Sequence, residues 1–229
     1  MSDRGYAIKD QYAPHFISFS VVQWIDVFTR KEYADIIIQS LKFCQKTKGL
    51  KIHAWCLMTN HIHLIISTTN SIGLSAILRD FKKYTSNQII KAISNNTRES
   101  RRNWMLWIFK KAGENNSRNN DFQLWQQDNH PVQCDTNEIL DSKIKYLYEN
   151  PVRAGIVKYE QDYVYSSGID YYGVQKGLIE IDFVWWLASQ RLFFITESGE
   201  PFRTLRTVAD FVWWLASQRL FFIAESGEP

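Results

Sequence analysis

At 229 residues, 45% of them hydrophobic and 22% charged, the chain has the length for one sizeable domain or two small ones and an ordinary globular composition. No apolar run approaches the ~20 residues of a membrane span, and Met1 to Tyr6 carry no apolar signal core, so no membrane partner and a cytoplasmic location are expected. Three cysteines (Cys44, Cys56, Cys134), odd in number and without CxxC spacing, read as reduced packing residues, not as a disulfide framework or zinc knuckle.

In chain order, His15 to Ile25 has the β-branched and aromatic content of a strand. Thr29 to Glu32 fits a capping box, and Tyr33, Ile36, Ile37, Leu41 and Cys44 follow at helical spacing until Gly49. Leu50 to Leu57 and Asn60 to Ser67 read as two strands joined by a short hairpin. A helix beginning near Gly73 holds an apolar stripe through Leu74, Ile77, Leu78, Phe81, Ile89 and Ile93, with Tyr84 and Gln88 as an i,i+4 pair on its edge. Another helix is expected over Arg101 to Ala112, then a polar loop over 113–120, the best candidate for a mobile segment. Asp121 to Gln127 reads as a fourth strand, and Thr136 caps a helix through Ile139, Ile144, Leu147 and Tyr148 that Asn150-Pro151 closes. This order predicts an α+β fold: a ferredoxin-like βαββαβ sandwich with an antiparallel sheet and additional C-terminal helices.

Within the third strand stand His61 and His63. Residues two apart in a strand share a face, so both imidazoles point one way while Ile62, Leu64 and Ile66 point the other. Two such imidazoles form half of a metal site. A lone strand histidine is more often a hydrogen-bonded polar residue, which the pairing makes less natural here. His53 and Cys56, three positions apart on a strand, would face opposite ways and do not complete a zinc set.

The net charge of +3 does not argue for nucleic acid, but its distribution is uneven. Between residues 71 and 119, ten basic residues face three acidic ones, interleaved with Trp104, Trp107 and Phe109. Such a stretch suits a phosphate backbone with stacked bases, and equally a solvated helix face over core aromatics.

Met58 to Leu64 (MTNHIHL), Phe81 to Ser86 (FKKYTS), Leu124-Trp125-Gln126, Tyr146 to Val157 (YLYENPVRAGIV) and Asp162 to Ser167 together resemble the single-tyrosine HUH transposases (IS200-like). The likeness is to the branch associated with repetitive extragenic palindromes and spans about residues 10 to 180. The resemblance implies an enzyme that cleaves and rejoins single-stranded or hairpin DNA through a 5′-phosphotyrosine and a free 3′-OH, as a homodimer. It implies one Mg²⁺ or Mn²⁺ held by His61, His63 and Gln88, with Tyr84 as nucleophile. Should Tyr84 serve only packing, Tyr146 and Tyr148 are the next candidates. DNA contacts are expected from Lys82, Lys83, Arg101, Arg102, Lys110, Lys111 and Arg153. The competing reading is a domesticated binder of palindromic DNA that no longer cuts.

A catalytic domain is thus expected over residues 1–180, followed by a tail over 181–229. In that tail residues 182–201 recur at 210–229 with one difference, Thr196 against Ala224. Two copies are too few for a solenoid core. Near-identity points to a recent duplication, and four of the nine tryptophans lie there, so the aromatic excess is no sign of base stacking. No catalytic role is expected of it.

Overall fold

The computed structural model describes residues 8–114, 121–127, 129–172 and 175–182. The chain divides into units Met1–Asp182 and Phe183–Pro229. The second, which holds the repeats, lies outside the described residues, as does most of the polar loop expected over 113–120. No helix among the described residues is long and apolar enough to cross a membrane.

The elements are β1 (His15–Ser20), α1 (Lys31–Lys48), β2 (Leu50–Leu57), β3 (His61–Thr68), α2 (Leu74–Asn95), α3 (Arg102–Glu114), β4 (Val132–Gln133) and α4 (Asn137–Arg153), with a single-turn helix at Gly168–Tyr171. The strands form one antiparallel sheet in the order β2-β3-β1-β4, the ferredoxin-like arrangement. One face carries Ile17 and Phe19 of β1, Trp55 and Leu57 of β2, and Ile62, Leu64 and Ile66 of β3. These join Ile37 and Leu41 of α1, Ile77 and Phe81 of α2, and Met105 and Phe109 of α3 in a single core. α1, α2 and α3 therefore cover this face. α4 covers the other.

Several boundaries differ from the sequence expectation. β1 ends at Ser20, where the chain breaks into a one-turn 3-10 helix over Val22–Trp24. The capping box at Thr29 does not form: its hydroxyl donates to Asp26 O (3.2 Å), and α1 begins one residue later with Arg30 as N-cap. Thr136 does cap α4, accepting from the Ile139 amide. Pro151 does not stop that helix; it sits in the last turn, two residues before the end, and Gly155 (φ 69°) makes the exit.

Asp121 to Gln127 is not a strand. The segment crosses the end of β1 with a single bridge, Val21 to Trp125. Backbone bonds from Val22 N to Leu124 O and from Gln126 N to Ser20 O flank that bridge, and side chains add to them. Buried Trp125 stacks on Phe28 and donates its indole N–H to Thr85 Oγ1 (3.0 Å), while Lys82 Nζ donates to Gln126 O (2.9 Å) and Asn129 Oδ1 (2.7 Å). The fourth strand is Val132–Gln133. Residues 165–167 cover the outer edge of β2, with Leu57 N donating to Tyr165 O and Ser167 N to Trp55 O, so β2 presents no long open edge.

The α2–α3 junction is fixed by charge. The buried Glu99 carboxylate accepts from the Arg30 guanidinium and from Arg101 Nε (3.2 Å). Burial alone would raise this carboxyl; the two arginines outweigh it and bring it down to about 2. Glu99→Ala should cost about 2–3 kcal/mol in denaturant unfolding. That is less than the ~3–5 kcal/mol of breaking a fully buried pair, because both guanidinium groups are a third or more exposed. The stabilisation is present above the ordinary carboxyl range and should be lost as pH falls from 4.5 towards about 2. Equal acid sensitivity in wild type and variant would contradict this role.

Candidate active site

Because Ile62, Leu64 and Ile66 point into the core beneath α1 and α2, His61 and His63 project from the opposite face of β3. The two rings lie 4.7 Å apart, centroid to centroid. On the neighbouring strand Ser18 pairs with His63 and Ser20 with His61, which places Phe16 and Ser18 on the histidine face. Phe16 stacks on His63 at 5.5 Å.

α4 closes over this face. Its Tyr146 ring stands edge-on to His63 at 5.2 Å and to Phe16 at 5.9 Å. Seven residues further along, Arg153 lies over the Tyr146 ring at 4.9 Å, and Asn150, one turn on from Tyr146, donates from its side chain to Tyr146 O (2.6 Å). Tyr146 is 40% exposed. Tyr148 is buried and hydrogen-bonded to Ser167 Oγ (2.9 Å), with burial holding its phenol well above the ordinary value. It is packing.

Each imidazole is oriented through Nδ1. His61 Nδ1–H donates to Asn60 Oδ1 (2.7 Å), and His63 Nδ1 is hydrogen-bonded to the Ser18 hydroxyl (2.6 Å). With Nδ1 engaged in both rings, Nε2 is the nitrogen that remains in each. His63 Nε2 is buried without a hydrogen-bond partner, an uncommon state for a polar atom. Burial holds His61 below the usual histidine range. Burial, reinforced by His61 and Arg153, pushes His63 down to about 3. Two imidazoles oriented through Nδ1 amount to half of a divalent cation's donor set. Among the described residues no group of three or more His, Cys, Asp or Glu converges here.

The partners expected for this pair, Tyr84 and Gln88, do not join it. Tyr84 is 56% exposed on α2 and, with Gln88, lines a groove of about 920 Å³ against Ile36, Gln39 and Phe43 of α1. This groove belongs to the helix layer on the far side of the sheet from the histidines. The physical reason is topological: α2 packs on the isoleucine face of β3, so nothing on its surface reaches the histidine face within one chain. The FKKYTS stretch is accounted for by structure, since Lys82 and Thr85 hold the Trp125 segment.

The expected DNA contacts divide in the same way. Lys82 is engaged as described, and Arg101 binds Glu99 and Asp26 O (3.0 Å). Arg102 reaches Asn103, while Lys110 and Lys111 are exposed on α3 and Lys83 on α2, all in the α1–α3 layer. Arg153 alone of that set stands beside the histidines. Sequence reasoning placed Tyr146 second; the signal that finds it is its position on the helix that follows the fourth strand, together with the i,i+4 Asn150.

Comparison with known proteins gives a family and a fold. Residues 11–139 match the family model described as transposase IS200 like. Among solved structures, a REP-associated tyrosine transposase bound to a REP hairpin superposes with a TM-score of 0.53. It is 18% identical and covers 89% of this chain and 99% of its own, a likeness of fold. No curated protein matches.

Proposed function

The chain belongs to the IS200-like transposase family, and from that membership we propose that it cleaves and rejoins single-stranded or hairpin DNA with Tyr146 as nucleophile. One observation carries this reading: an accessible phenol on α4 meets a pair of oriented, neutral histidines on β3. The hairpin bound to the structural neighbour supports hairpin DNA as the partner.

His61 and His63 would hold Mg²⁺ or Mn²⁺ through Nε2; Gln88, to which the resemblance gives the role of further donor, lies in the α1–α2 groove, and we assign that role to Asn150, one turn on from Tyr146 on the same helix. When bound, the ion supplies Lewis-acid polarisation of a phosphate oxygen. The chain does the rest. Ser18 and Asn60 orient the imidazoles through Nδ1. Arg153, exposed over the Tyr146 ring, offers a guanidinium to the DNA phosphate and orients the phenol. Tyr146 Oη attacks phosphorus; the P–O3′ bond breaks, the 3′ oxygen leaves with a proton, and a 5′-phosphotyrosine remains. Attack by a 3′-OH on that ester rejoins the strand without a nucleotide cofactor. Tyr146 and both histidines come from one chain, so the homodimer expected from the resemblance is not needed to assemble these three residues.

Incubation of end-labelled hairpin and single-stranded DNA with Mn²⁺, resolved on a denaturing gel, tests the proposal. A covalent protein–DNA band that disappears with chelator is expected. Tight hairpin binding with no adduct under any divalent ion would favour the non-cleaving binder.

A further inference from the structure

We propose that the exposed face of Trp24 is a platform on which one unpaired nucleobase stacks next to the scissile phosphate. The inference rests on the reading that the histidine pair and Tyr146 act on single-stranded DNA. Ring contacts run in sequence from Tyr146 to His63, from His63 to His61, and from His61 to Trp24, the last at 5.6 Å and edge-on. Trp24 thus terminates the row on the far side of the histidines from the nucleophile.

Its backbone sets it apart. Gln23 (φ 51°) and Trp24 (φ 55°) are consecutive left-handed residues, a conformation that side chains disfavour and bulky ones most. This turn is held from the histidine hairpin: Asn60 Nδ2 donates to Trp24 O (3.1 Å), and Val21 N donates to Asn60 O (2.9 Å). Asn60 therefore fixes Trp24 and the His61 ring together. Val22 and Ile25 on either side are buried in the core, but the Trp24 ring itself remains 55% exposed. Trp104 and Trp107 are also exposed, but on the regular helix α3 in the other layer. Among the described residues, Trp24 alone combines exposure, a left-handed backbone and contact with the histidine pair. A planar aromatic face in water beside a phosphate-handling site suits a base, which stacks with little regard to sequence.

The test uses the full chain without added metal and single-stranded oligonucleotides carrying one 2-aminopurine, moved base by base through the cleaved region. Wild type should quench the probe at one position flanking the cleavage site. Trp24→Ala should lose that quenching and bind about 10-fold more weakly, while Trp24→Phe, which keeps a ring, should restore most of both. Unchanged quenching and affinity in Trp24→Ala, with wild type still forming its adduct, would overturn the platform and leave the proposed function standing. A wild-type protein that neither binds nor cleaves single-stranded DNA would remove both. Intact oligonucleotide binding with altered self-association in Trp24→Ala would make Trp24 a protein contact and also overturn the inference.

Discussion

Tyr146→Phe should abolish the covalent DNA adduct while leaving hairpin affinity within about 3-fold of wild type. The variant removes one oxygen and keeps the ring. The edge contacts to His63 and Phe16 and the Arg153 guanidinium above the ring are therefore retained. With the ring's packing unchanged and the residue 40% exposed, stability should move by no more than about 0.5 kcal/mol. Tyr84→Phe is the matched control: it alters an exposed phenol in the α1–α2 groove, and adduct yield should be unchanged. The reverse pattern would return the nucleophile to α2 and require it to act on a second copy's histidines.

His63→Ala should lower cleavage by more than ~100-fold at saturating Mn²⁺. Altering a residue that merely orients a metal ligand costs about 10–100-fold, and His63 is proposed as the ligand itself. Ser18→Ala supplies the graded comparison. It frees His63 Nδ1 without removing a nitrogen donor, so a loss of about 10–100-fold, partly recovered by raising Mn²⁺, is expected. Calorimetric titration of Mn²⁺ checks both variants apart from turnover. If His63→Ala kept wild-type metal affinity, the histidine pair would be packing. The truncation also empties a buried position against Phe16 and Tyr146 and should cost about 0.5–3 kcal/mol; Leu64→Ala, one residue on, would strike the main core and cost about 2–5 kcal/mol.

The alternation of β3 made the histidine face legible from sequence, because Ile62, Leu64 and Ile66 can only be core. What a helical stripe does not reveal is which side of the sheet the helix covers. Tyr84 and Gln88 sit correctly relative to each other, yet α1 and α2 are both crossovers of the split βαβ units and share the isoleucine face. That topology places their surfaces across the sheet from His61 and His63. The helix after the fourth strand was left for the histidine face, and it brings Tyr146. The Trp125 segment misled for a different reason. Its apolar alternation resembles a strand, but Leu124 and Trp125 are buried against the end of β1 and fixed by Thr85 and Lys82 beside a single bridge, not by an extended ladder. Left-handed Gln23 and Trp24 could not be read at all, since nothing in VVQWI signals a turn.

The most direct measurement is the site of covalent attachment. Wild-type protein trapped on DNA with Mn²⁺, digested with nuclease and trypsin, should yield a nucleotidyl-modified peptide spanning Tyr146 to Arg153, with fragmentation assigning the mass to Tyr146 and not Tyr148. The same modification on the peptide from Tyr84 to Lys91 would contradict the account, because that phenol lies across the sheet from the histidines.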